Sequence, residues 1–588
     1  MSGTGPDQDA GLAGGTTRGR SATWLQWVAR VWAEFAIVGY LLWQATTPAP
    51  VEGEGDYWER LVALGVVAVI VIGHLLSWRW EIQGATIMAV GGALLALVTA
   101  FRFPGMLETA IVLVAFTGPA VIYWWIWRRG RSRARVWSVA AAFTALTAGV
   151  LALGLLAQEL AYGPFHPQSS LSAPPLTPVV WVWSGAVTDT SAAVVARLSD
   201  AQAQARLAVA EVAEPDDLVW IEPGPRPADD PATVRFDVAG LTPGARYEYV
   251  VEVDGVMVDG RAGAFGTIPA GPADFSFAVG SCTRRGSNGV VFNTIRAEQP
   301  DLFLITGDFA YEDFWTNDRA AFRQMYQTQL TTPAMDALVR SAPVAYTWDD
   351  HDYGPNDADS TSNSAPAAQV VYRQSVPHPD LPAGTGPEPI YQSFALGRVR
   401  FILMDSRSSR SPRSDPDTVD KTMLGTRQLR WLTKEFATAS AAGHVVVLVT
   451  SVPWTGQAAA GADDWSGYST ERQRVADLIA EAGLVDRLLM LAGDAHMVAI
   501  DDGTNTDFSS TQSGGFPLMH AGALDRPGMV KGGPYSQGAY PGSGQFGLVT
   551  VTDSGAGVSI ALSGRDHTGA HLVDYEFLVP ELALDPPE

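Results

Sequence analysis

The sequence of 588 residues predicts a multi-domain protein made of an all-α transmembrane bundle, an antiparallel β-sandwich and an α/β domain. Three observations predict these parts in this order. Long apolar stretches fill residues 24–160, and short runs of alternating hydrophobicity follow over 176–268. After residue 272, apolar runs of strand length alternate with helical patterns.

Five apolar stretches of the first part have the length of about 20 residues that a helix needs to cross a bilayer. They lie near 24–46, 60–78, 83–102, 108–127 and 136–158, and Arg30 and Glu34 interrupt the first. Ionisable residues within the stretches are few, which favours an anchor over a transporter. The sequence therefore predicts a cytoplasmic tail at 1–23 and a five-helix transmembrane domain at 24–160.

Arginines in the loop 128–135 predict the orientation of this domain, because basic loops stay on the cytoplasmic side. With that loop inside, the acidic loop 47–59 lies outside, and the last helix carries residue 162 onward to the exterior. We therefore expect a multi-pass cell-membrane protein that contacts the lipid bilayer, with a cytoplasmic N-terminus and an extracytoplasmic α/β domain.

The formal net charge of −23 arises almost entirely after residue 161, because arginines and acids nearly balance before it. A surface this acidic repels polyanions, which excludes nucleic-acid binding through a basic face. Cys282 is the only cysteine, so an intrachain disulfide is excluded. The sequence does not indicate an oligomeric state.

A linker rich in proline and serine, residues 161–175, precedes the β part. Alternating runs at 179–183, 192–198, 233–238 and 247–253 predict an antiparallel β-sandwich over 176–268. The turn at 241–249 resembles a recurring loop of fibronectin type III-like domains. We interpret this module as structural.

Polar residues follow the predicted strands of the α/β domain at the points where the strands end. The clusters are Ser281-Cys282, Gly307-Asp308-Phe309-Ala310-Tyr311, Asp349-Asp350-His351-Asp352, Asp405-Ser406-Arg407, Ser451 and Gly493-Asp494-Ala495-His496. Taken singly, each cluster also has a purely structural explanation. Cys282 can be a small buried apolar residue, and Gly307-Asp308 can form a turn. Because the carboxyl ends of α/β strands meet at one rim, their shared placement favours a single site.

Carboxylates this dense repel one another unless cations lie between them. The acids concerned are Asp308, Asp349, Asp350, Asp352 and Asp494. Metal ions remove the repulsion and lower the pKa of a coordinated water, so the rim predicts attack of metal-activated water on a phosphoryl group. Carboxylate and imidazole ligands suit hard or borderline ions, whereas a phenolate and a thiolate suit ferric iron.

These motifs resemble those of the PhoD-like (alkaline phosphatase D) family of metallophosphatases. The matching segments are 280–282, 307–311, 348–357, 405–410, 423–432 and 493–496, and together they cover roughly residues 272–560. The resemblance implies the four-layer αββα fold of calcineurin-like metallophosphoesterases over 272–580. It also implies a centre of Fe(3+) and Ca(2+), with other divalent metals as alternatives.

The resemblance also implies roles for individual residues. Cys282 and Tyr311 would bind ferric iron, Asp308 would bridge the metals, and His351 with Asp350 would act in catalysis, His351 facing the leaving oxygen. The complete set of predicted metal ligands is Cys282, Asp308, Tyr311, Asp349, Asp350, Asp494 and His496.

Three cations are candidates for binding the substrate phosphate. Arg407 and Arg410 have the planar donors that clamp phosphate, although an ion pair with Asp405 is an equal alternative. Lys531 lies in a glycine-rich segment, and His520, just upstream of it, is a weaker candidate for reaching the rim.

Two departures from the wider superfamily affect the ligand set. Ser281-Cys282 stands where the superfamily has an Asp-x-His pair, and Ser451 stands where it usually has a ligand histidine. Both changes fit the PhoD-like branch, but they prevent a direct transfer of the usual two-metal ligand list.

The predicted function is metal-dependent hydrolysis of phosphate monoesters, diesters or both on the outer face of the membrane. The alternative is a catalytically silent metal-binding ectodomain of a membrane scaffold or transporter. Retention of Asp308, His351, Asp494 and His496 favours the enzyme.

Overall fold

The computed structural model of the protein describes residues 16–46, 54–102, 106–128, 177–526 and 528–580, and single positions at 132, 138 and 141. The chain divides into two compact units, Met1–Leu160 and Ala161–Glu588. The predicted linker at 161–175 lies outside the described residues, as does most of the predicted tail at 1–23.

Helices make up the described part of the first unit. They are α1 Thr16–Thr46, α2 Glu54–Ser77, α3 Glu81–Arg102 and α4 Met106–Trp127. Small side chains such as Ala29, Ala85 and Ala89 are buried where the helices pack. At Gly84 a Cβ atom would lie 2.5 Å from the Gly73 carbonyl oxygen, so only glycine allows this approach of α2 and α3.

The predicted transmembrane bundle is wrong for these helices. A spanning helix must be both long enough and apolar enough to cross the hydrocarbon layer, and no helix of the described residues meets both requirements. In α1, Arg30 and Glu34 interrupt the apolar run. The fifth predicted span, 136–158, lies outside the described residues apart from two single positions. The outward orientation inferred from the spans stays an untested prediction.

The second unit is built mainly of strands. Its first strands are β1 Val179–Gly185, β2 Ser191–Leu198, β3 Ala205–Glu211, β4 Val219–Ile221, β5 Thr233–Ala239, β6 Arg246–Val253, β7 Val256–Met257 and β8 Gly263–Gly266. The later strands are β9 Phe275–Gly280, β10 Leu302–Ile305, β11 Val344–Tyr346, β12 Gln392–Leu396, β13 Val399–Leu403, β14 Val445–Thr450, β15 Leu488–Ala492, β16 Met497–Asp501, β17 Leu518–Ala521, β18 Ala539–Pro541, β19 Gln545–Asp553, β20 Gly557–Asp566 and β21 His571–Pro580.

Helices of the second unit lie between these strands along the chain. They are α5 Val290–Ala297, α6 Arg319–Leu330, α7 Pro333–Ser341, α8 Ala365–Ser375, α9 Gly425–Ala441 and α10 Ser469–Glu481, together with short 3-10 helices at Asp259–Arg261, Trp465–Tyr468 and Val485–Arg487.

Two large sheets form the centre of this unit. One has the strand order β21-β20-β19-β9-β10-β11-β1-β2-β5, and the other has the order β12-β13-β14-β15-β17-β16-β18. Between them lies an apolar core in which Phe277 and Leu304 pack with Phe401, Val447 and Leu491. Burial of both inner faces explains the continuous apolar runs of strands such as β14.

Helices cover the outer faces of both sheets. Residues of α5 to α8, including Phe292, Phe322 and Leu338, are buried in one core cluster with strand residues of the first sheet. Residues of α9 and α10, including Leu432 and Val475, are buried with Leu448 and other residues of the second sheet. The order of layers is therefore helix, sheet, sheet, helix.

The N-terminal β region continues into the first large sheet. A separate sheet with the order β4-β3-β6-β7, in which β8 also pairs with β6, packs against β1, β2 and β5. Strand β1 lies parallel to β11, with Gly185 opposite Val344. One layer of the sandwich is thus part of the nine-stranded sheet. The sheet therefore continues across the domain boundary that the sequence predicts between residues 268 and 272.

Candidate metal centre

Strand register brings the predicted polar clusters to one edge of each sheet. In the first sheet Gly280 is opposite Ile305, and Ile305 is opposite Tyr346, so the three strands end together. In the second sheet Thr450 is opposite Ala492. Since all these strands run parallel, the loops that follow them meet where the two sheets face each other.

Backbone conformation in these loops is unusual. Cys282, Asp308 and Asp494 have φ angles of 63°, 50° and 61°, in the left-handed region that residues other than glycine rarely adopt. Gly307, with a φ angle of 118°, allows close contact, because a Cβ atom there would lie 2.7 Å from the Cβ atom of Asp349. Backbone strain of this kind is concentrated at functional sites, where it fixes the direction of a side chain.

Four carboxylates and an imidazole form the centre of the site, which we call the Asp308 cluster. Ligand atoms of Asp308, Asp350 and His351 lie within 4.8 Å of one another, and so do those of Asp308, Asp349 and Asp494. Asp308 Oδ1 and Asp349 Oδ2 are buried and have no hydrogen-bond partner among the described residues. A buried carboxylate oxygen without a donor is costly, so both atoms are suited to a cation.

The pKa values of these acids reflect the same crowding. Burial, together with the Asp350 carboxylate, raises the pKa of Asp308 to about 8. Burial also raises the pKa of Asp349 well above its ordinary value, against the opposing effect of Arg407. Burial acts in the same direction on Asp350, but Arg407 and His351 outweigh it and hold the pKa of Asp350 below its usual range. A cation in the cluster favours the charged form of all three.

Cys282, Tyr311 and His496 lie beside the Asp308 cluster. Cys282 Sγ is 3.7 Å from Asp308 Oδ2, and Tyr311 Oη is 2.6 Å from His496 Nε2. Burial and the Asp308 carboxylate raise the pKa values of the Cys282 thiol and the Tyr311 phenol well above their ordinary values. The thiolate and phenolate forms therefore require a positive charge close by.

His351 is held by a carboxylate, that of Asp313, which is not among the site residues predicted from the sequence. Its Nδ1 atom is 2.8 Å from Asp313 Oδ1, and its ring stacks on Tyr311 with 3.9 Å between the ring centroids. Burial alone would lower the pKa of His351, but Asp350, Asp313 and Asp308 outweigh this effect and raise it to about 10. These carboxylates therefore favour the protonated form of the imidazole.

Asp352, part of the acidic motif, supports the loop. Its carboxylate accepts hydrogen bonds from the backbone N–H groups of Phe309 at 2.8 Å and Asp349 at 2.7 Å, and from the hydroxyl of Tyr346. It therefore ties the loop after β10 to the loop after β11.

Arg407 and Arg410 are buried and bonded to carboxylates. Arg407 Nε donates to Asp349 Oδ1 at 2.6 Å, and Arg407 Nη2 donates to Asp463 Oδ2 at 2.8 Å. Arg410 Nη2 donates to Asp463 Oδ1 at 2.7 Å. The alternative of an ion pair with Asp405 is wrong, because the Asp405 carboxylate accepts from the backbone N–H of Arg407 and from the Trp348 indole.

Lys531 contacts the Asp308 cluster directly. Its Nζ atom donates to Asp494 Oδ1 at 2.6 Å. The hydroxyl of Tyr535 donates to the Lys531 carbonyl oxygen at 2.7 Å and is 3.1 Å from His520 Nε2. His520 therefore contacts this segment through Tyr535, and burial lowers the pKa of His520 to about 3.

Asp313, Asp463 and Arg526 are near the centre but were missed by sequence reasoning. None of them directly follows a strand, so the signal that located the other clusters was absent. The Arg526 guanidinium carbon lies 3.9 Å from the centroid of the Tyr311 ring. Ser451, in place of the superfamily histidine, donates a hydrogen bond to Asp349 Oδ1 at 2.7 Å.

Comparison with known proteins identifies the family. Residues 277–528 match the model of the PhoD-like phosphatase family. This chain contains a PhoD-like phosphatase domain. The predicted family and the predicted class of enzyme, a phosphoesterase hydrolase, are confirmed. Residues 18–135 match a separate family that is described as a domain of unknown function, DUF7670.

Individual relatives of the PhoD-like domain are distant. The chain is 24% identical over 330 residues to alkaline phosphatase D of Bacillus subtilis strain 168, and the match covers 48% of this chain and 56% of that relative. A solved structure of PhoD has a TM-score of 0.54 at 18% identity and covers 68% of this chain and 93% of its own, which supports the fold. Purple acid phosphatase PPD1 from yellow lupin seeds has a TM-score of 0.49 at 13% identity, with coverages of 68% and 74%.

Proposed function

We propose that the Asp308 cluster hydrolyses phosphate esters, monoesters or diesters, in a metal-dependent reaction. The observation that carries this proposal is the pair of buried carboxylate oxygens, Asp308 Oδ1 and Asp349 Oδ2, that lack a donor within a dense acid cluster. The match of residues 277–528 to the PhoD-like phosphatases supports it, because that family is metal-dependent.

The donor set fits the metals that the family resemblance implies. Cys282 and Tyr311 offer a thiolate and a phenolate, which suit Fe(3+), whereas the carboxylates of Asp308, Asp350 and Asp494 suit a hard ion such as Ca(2+). Asp349 and His496 complete the ligands that we propose. When bound, such cations would neutralise charge on the phosphoryl group and supply an activated water near neutral pH.

His351 and Asp350, both members of the Asp308 cluster, would act on the substrate. Asp313 engages Nδ1 of His351 at 2.8 Å, so the ring is fixed and Nε2 is the nitrogen that can reach the leaving oxygen. The Asp313 carboxylate favours the protonated form of the ring, so His351 could donate a proton to that oxygen. Asp350 is held in turn by the backbone N–H of Asp357, at 2.6 Å.

Arg407 would position a ligand and would not bind the substrate. Its guanidinium is fully buried between Asp349 and Asp463. Both carboxylates accept its hydrogen bonds, which leaves it poorly placed to clamp a phosphate. By holding Asp349 Oδ1, it directs the other oxygen of that carboxylate to the metal centre.

A hydrolysis assay on the full-length chain tests the proposal. Purified protein would be stripped of metal, supplied with Fe(3+), Ca(2+) or another divalent ion, and assayed with p-nitrophenyl phosphate and with bis-p-nitrophenyl phosphate. We expect turnover of at least one ester after metal addition and none before it. An assay in which neither ester is hydrolysed with any metal, although metal is bound, would contradict the proposal.

A further inference from the structure

Most cations beside the metal centre are already bonded to carboxylates of the protein. Arg407 pairs with Asp349, Arg410 pairs with Asp463, and Lys531 pairs with Asp494 at 2.6 Å. Each charge is therefore offset within the protein before a substrate arrives. A phosphate ester that enters this acidic rim requires a cationic donor whose hydrogen-bonding groups are not already used.

Arg526 has a different environment. Its Nε atom is buried and has no hydrogen-bond partner among the described residues, and its side chain as a whole is half-buried. A guanidinium N–H without an acceptor in a buried position is costly, so the site is suited to an incoming anion.

Backbone hydrogen bonds hold described residues on both sides of Arg526. On one side, the N–H of Leu524 donates to the Ser281 carbonyl at 3.0 Å, next to Cys282. On the other side, the N–H of Met529 donates to the carbonyl of His496 at 2.8 Å. Arg526 is therefore held between two loops that supply proposed metal ligands.

The Arg526 side chain lies against Tyr311. Its guanidinium carbon is 3.9 Å from the centroid of that ring, and the His351 ring stacks on Tyr311 at the same centroid distance of 3.9 Å. Arg526 and His351 therefore both contact the Tyr311 ring. The stack fixes Arg526 beside the ring whose hydroxyl bonds His496.

We propose that Arg526 binds the phosphoryl group of the substrate and favours dianionic phosphate monoesters over monoanionic diesters. This inference rests on the proposed function. Attraction between a guanidinium and an anion rises with the charge of the anion, so the Arg526 side chain, whose Nε has no partner among the described residues, benefits a dianion more than a monoanion. Arg526 is thus the residue that we expect to determine specificity.

Steady-state kinetics of full-length Arg526→Gln and Arg526→Lys test this role. Loss of a charge-assisted contact made before and during the reaction should raise KM for p-nitrophenyl phosphate about 10- to 100-fold with little change in kcat. We expect KM for the diester to rise less than KM for the monoester. The inhibition constant of inorganic phosphate should rise as much as KM for the monoester. The values of Arg526→Lys should lie between those of the parent and those of Arg526→Gln.

Arg285→Gln is the matched control. Arg285 carries the same charge, is 48% exposed in its side chain and pairs with Glu312, so its removal should leave both KM values unchanged. Metal content should be the same in all four proteins.

Two results would overturn the proposal. One is an Arg526→Gln protein with unaltered KM and unaltered phosphate inhibition. The other is loss of bound metal together with activity, which would make Arg526 a support for Tyr311. If Arg526→Gln does not fold, Arg526→Lys with a KM for the monoester equal to that of the parent contradicts the role. If the parent has no turnover, the proposed function fails, and calorimetric binding of inorganic phosphate to the metal-loaded proteins still decides the role of Arg526.

Discussion

Two groups of acids lie next to each other in this domain and are compensated in different ways. The Asp463 cluster, which consists of Asp357 and Asp463, is contacted by arginines: Arg407 and Arg410 reach Asp463 at 2.8 and 2.7 Å, and Arg413 reaches Asp357 at 3.2 Å. Asp357 Oδ2, which faces Arg413, has no hydrogen bond among the described residues, and in the Asp308 cluster two buried oxygens lack one, Asp308 Oδ1 and Asp349 Oδ2. Cations of the chain contact acids in both clusters, including Asp349 and Asp494, but Asp308 itself forms no ion pair among the described residues and is available to a ligand.

Asp308→Asn should give the largest effect, because it removes one proposed ligand from the Asp308 cluster. Loss of a direct ligand should lower metal affinity by more than about 100-fold, which is the upper range seen for supporting residues, and hydrolysis should be lost with it. Metal analysis and the ester assay check this. Asp420→Asn, the same change at an exposed position, should behave like the parent. An Asp308→Asn protein with full metal content would show that Asp308 is not a metal ligand.

His351→Gln should separate chemistry from metal binding. Removal of a proton donor that does not hold the metal should cut turnover about 100- to 10,000-fold while the metal content stays that of the parent. Equal loss of metal and turnover would show that His351 is a ligand instead.

Asp463→Asn should affect stability, because it leaves Arg407 and Arg410 buried without their shared carboxylate. Breaking a buried ion pair from one side costs about 3–5 kcal/mol, measured as the free energy of unfolding in denaturant. The exposed Asp415→Asn is the control, with an expected change near zero. If both variants unfold at the same denaturant concentration, the arginines are not what compensates this cluster.

Lys531→Gln should make the Asp308 cluster a stronger cation site. Lys531 Nζ is 2.6 Å from Asp494 Oδ1, so its charge competes with a metal for the same carboxylate. Removing one positive charge at this distance should tighten calorimetric binding of Ca(2+) by roughly tenfold. Weaker binding would instead mean that Lys531 supports the geometry of Asp494.

His378→Asn should give the smallest effect and extends the comparison to histidines. Burial, with Arg235 nearby, lowers the pKa of His378 to about 4, whereas acids raise that of His351 to about 10. A lowered pKa in the folded state means that stability is lost as the pH falls from about 6.5 through 4, because only the unfolded chain takes up the proton. As the pH falls through that window, we expect the free energy of unfolding of the variant to decrease by up to about 1 kcal/mol per pH unit less than that of the parent. Identical acid unfolding of the two proteins would contradict this.

The location of the site was accessible from sequence because it depends on a local pattern. Apolar runs of strand length each end in a polar cluster, and parallel pairing such as Ile305 opposite Tyr346 aligns those ends without further information. The roles of the individual metal ligands stay predictions. The confirmed part is the family and the class of enzyme.

Other features depend on contacts that no local pattern reports. Asp463 lies more than fifty residues after Arg407, and Asp313 lies well before His351, so their pairing is visible only in the fold. The continuation of β1 into the first large sheet depends on pairing between Gly185 and Val344, which are far apart in sequence. The predicted transmembrane bundle was wrong because the apolar stretches indicated sufficient length and apolarity, whereas the described helices do not combine the two.

Proton release on cation binding tests the central claim most directly. Burial and neighbouring acids raise the pKa of Asp308 to about 8, so a cation that binds its carboxylate near pH 7 must displace a proton. Calorimetry in buffers with different heats of ionisation measures the number of protons released on cation binding. We expect cation binding to the parent with release of about one proton or more per chain, and weaker binding with less release in Asp308→Asn. Equal affinity and equal proton release in the two proteins would contradict the claim that the Asp308 cluster binds a cation.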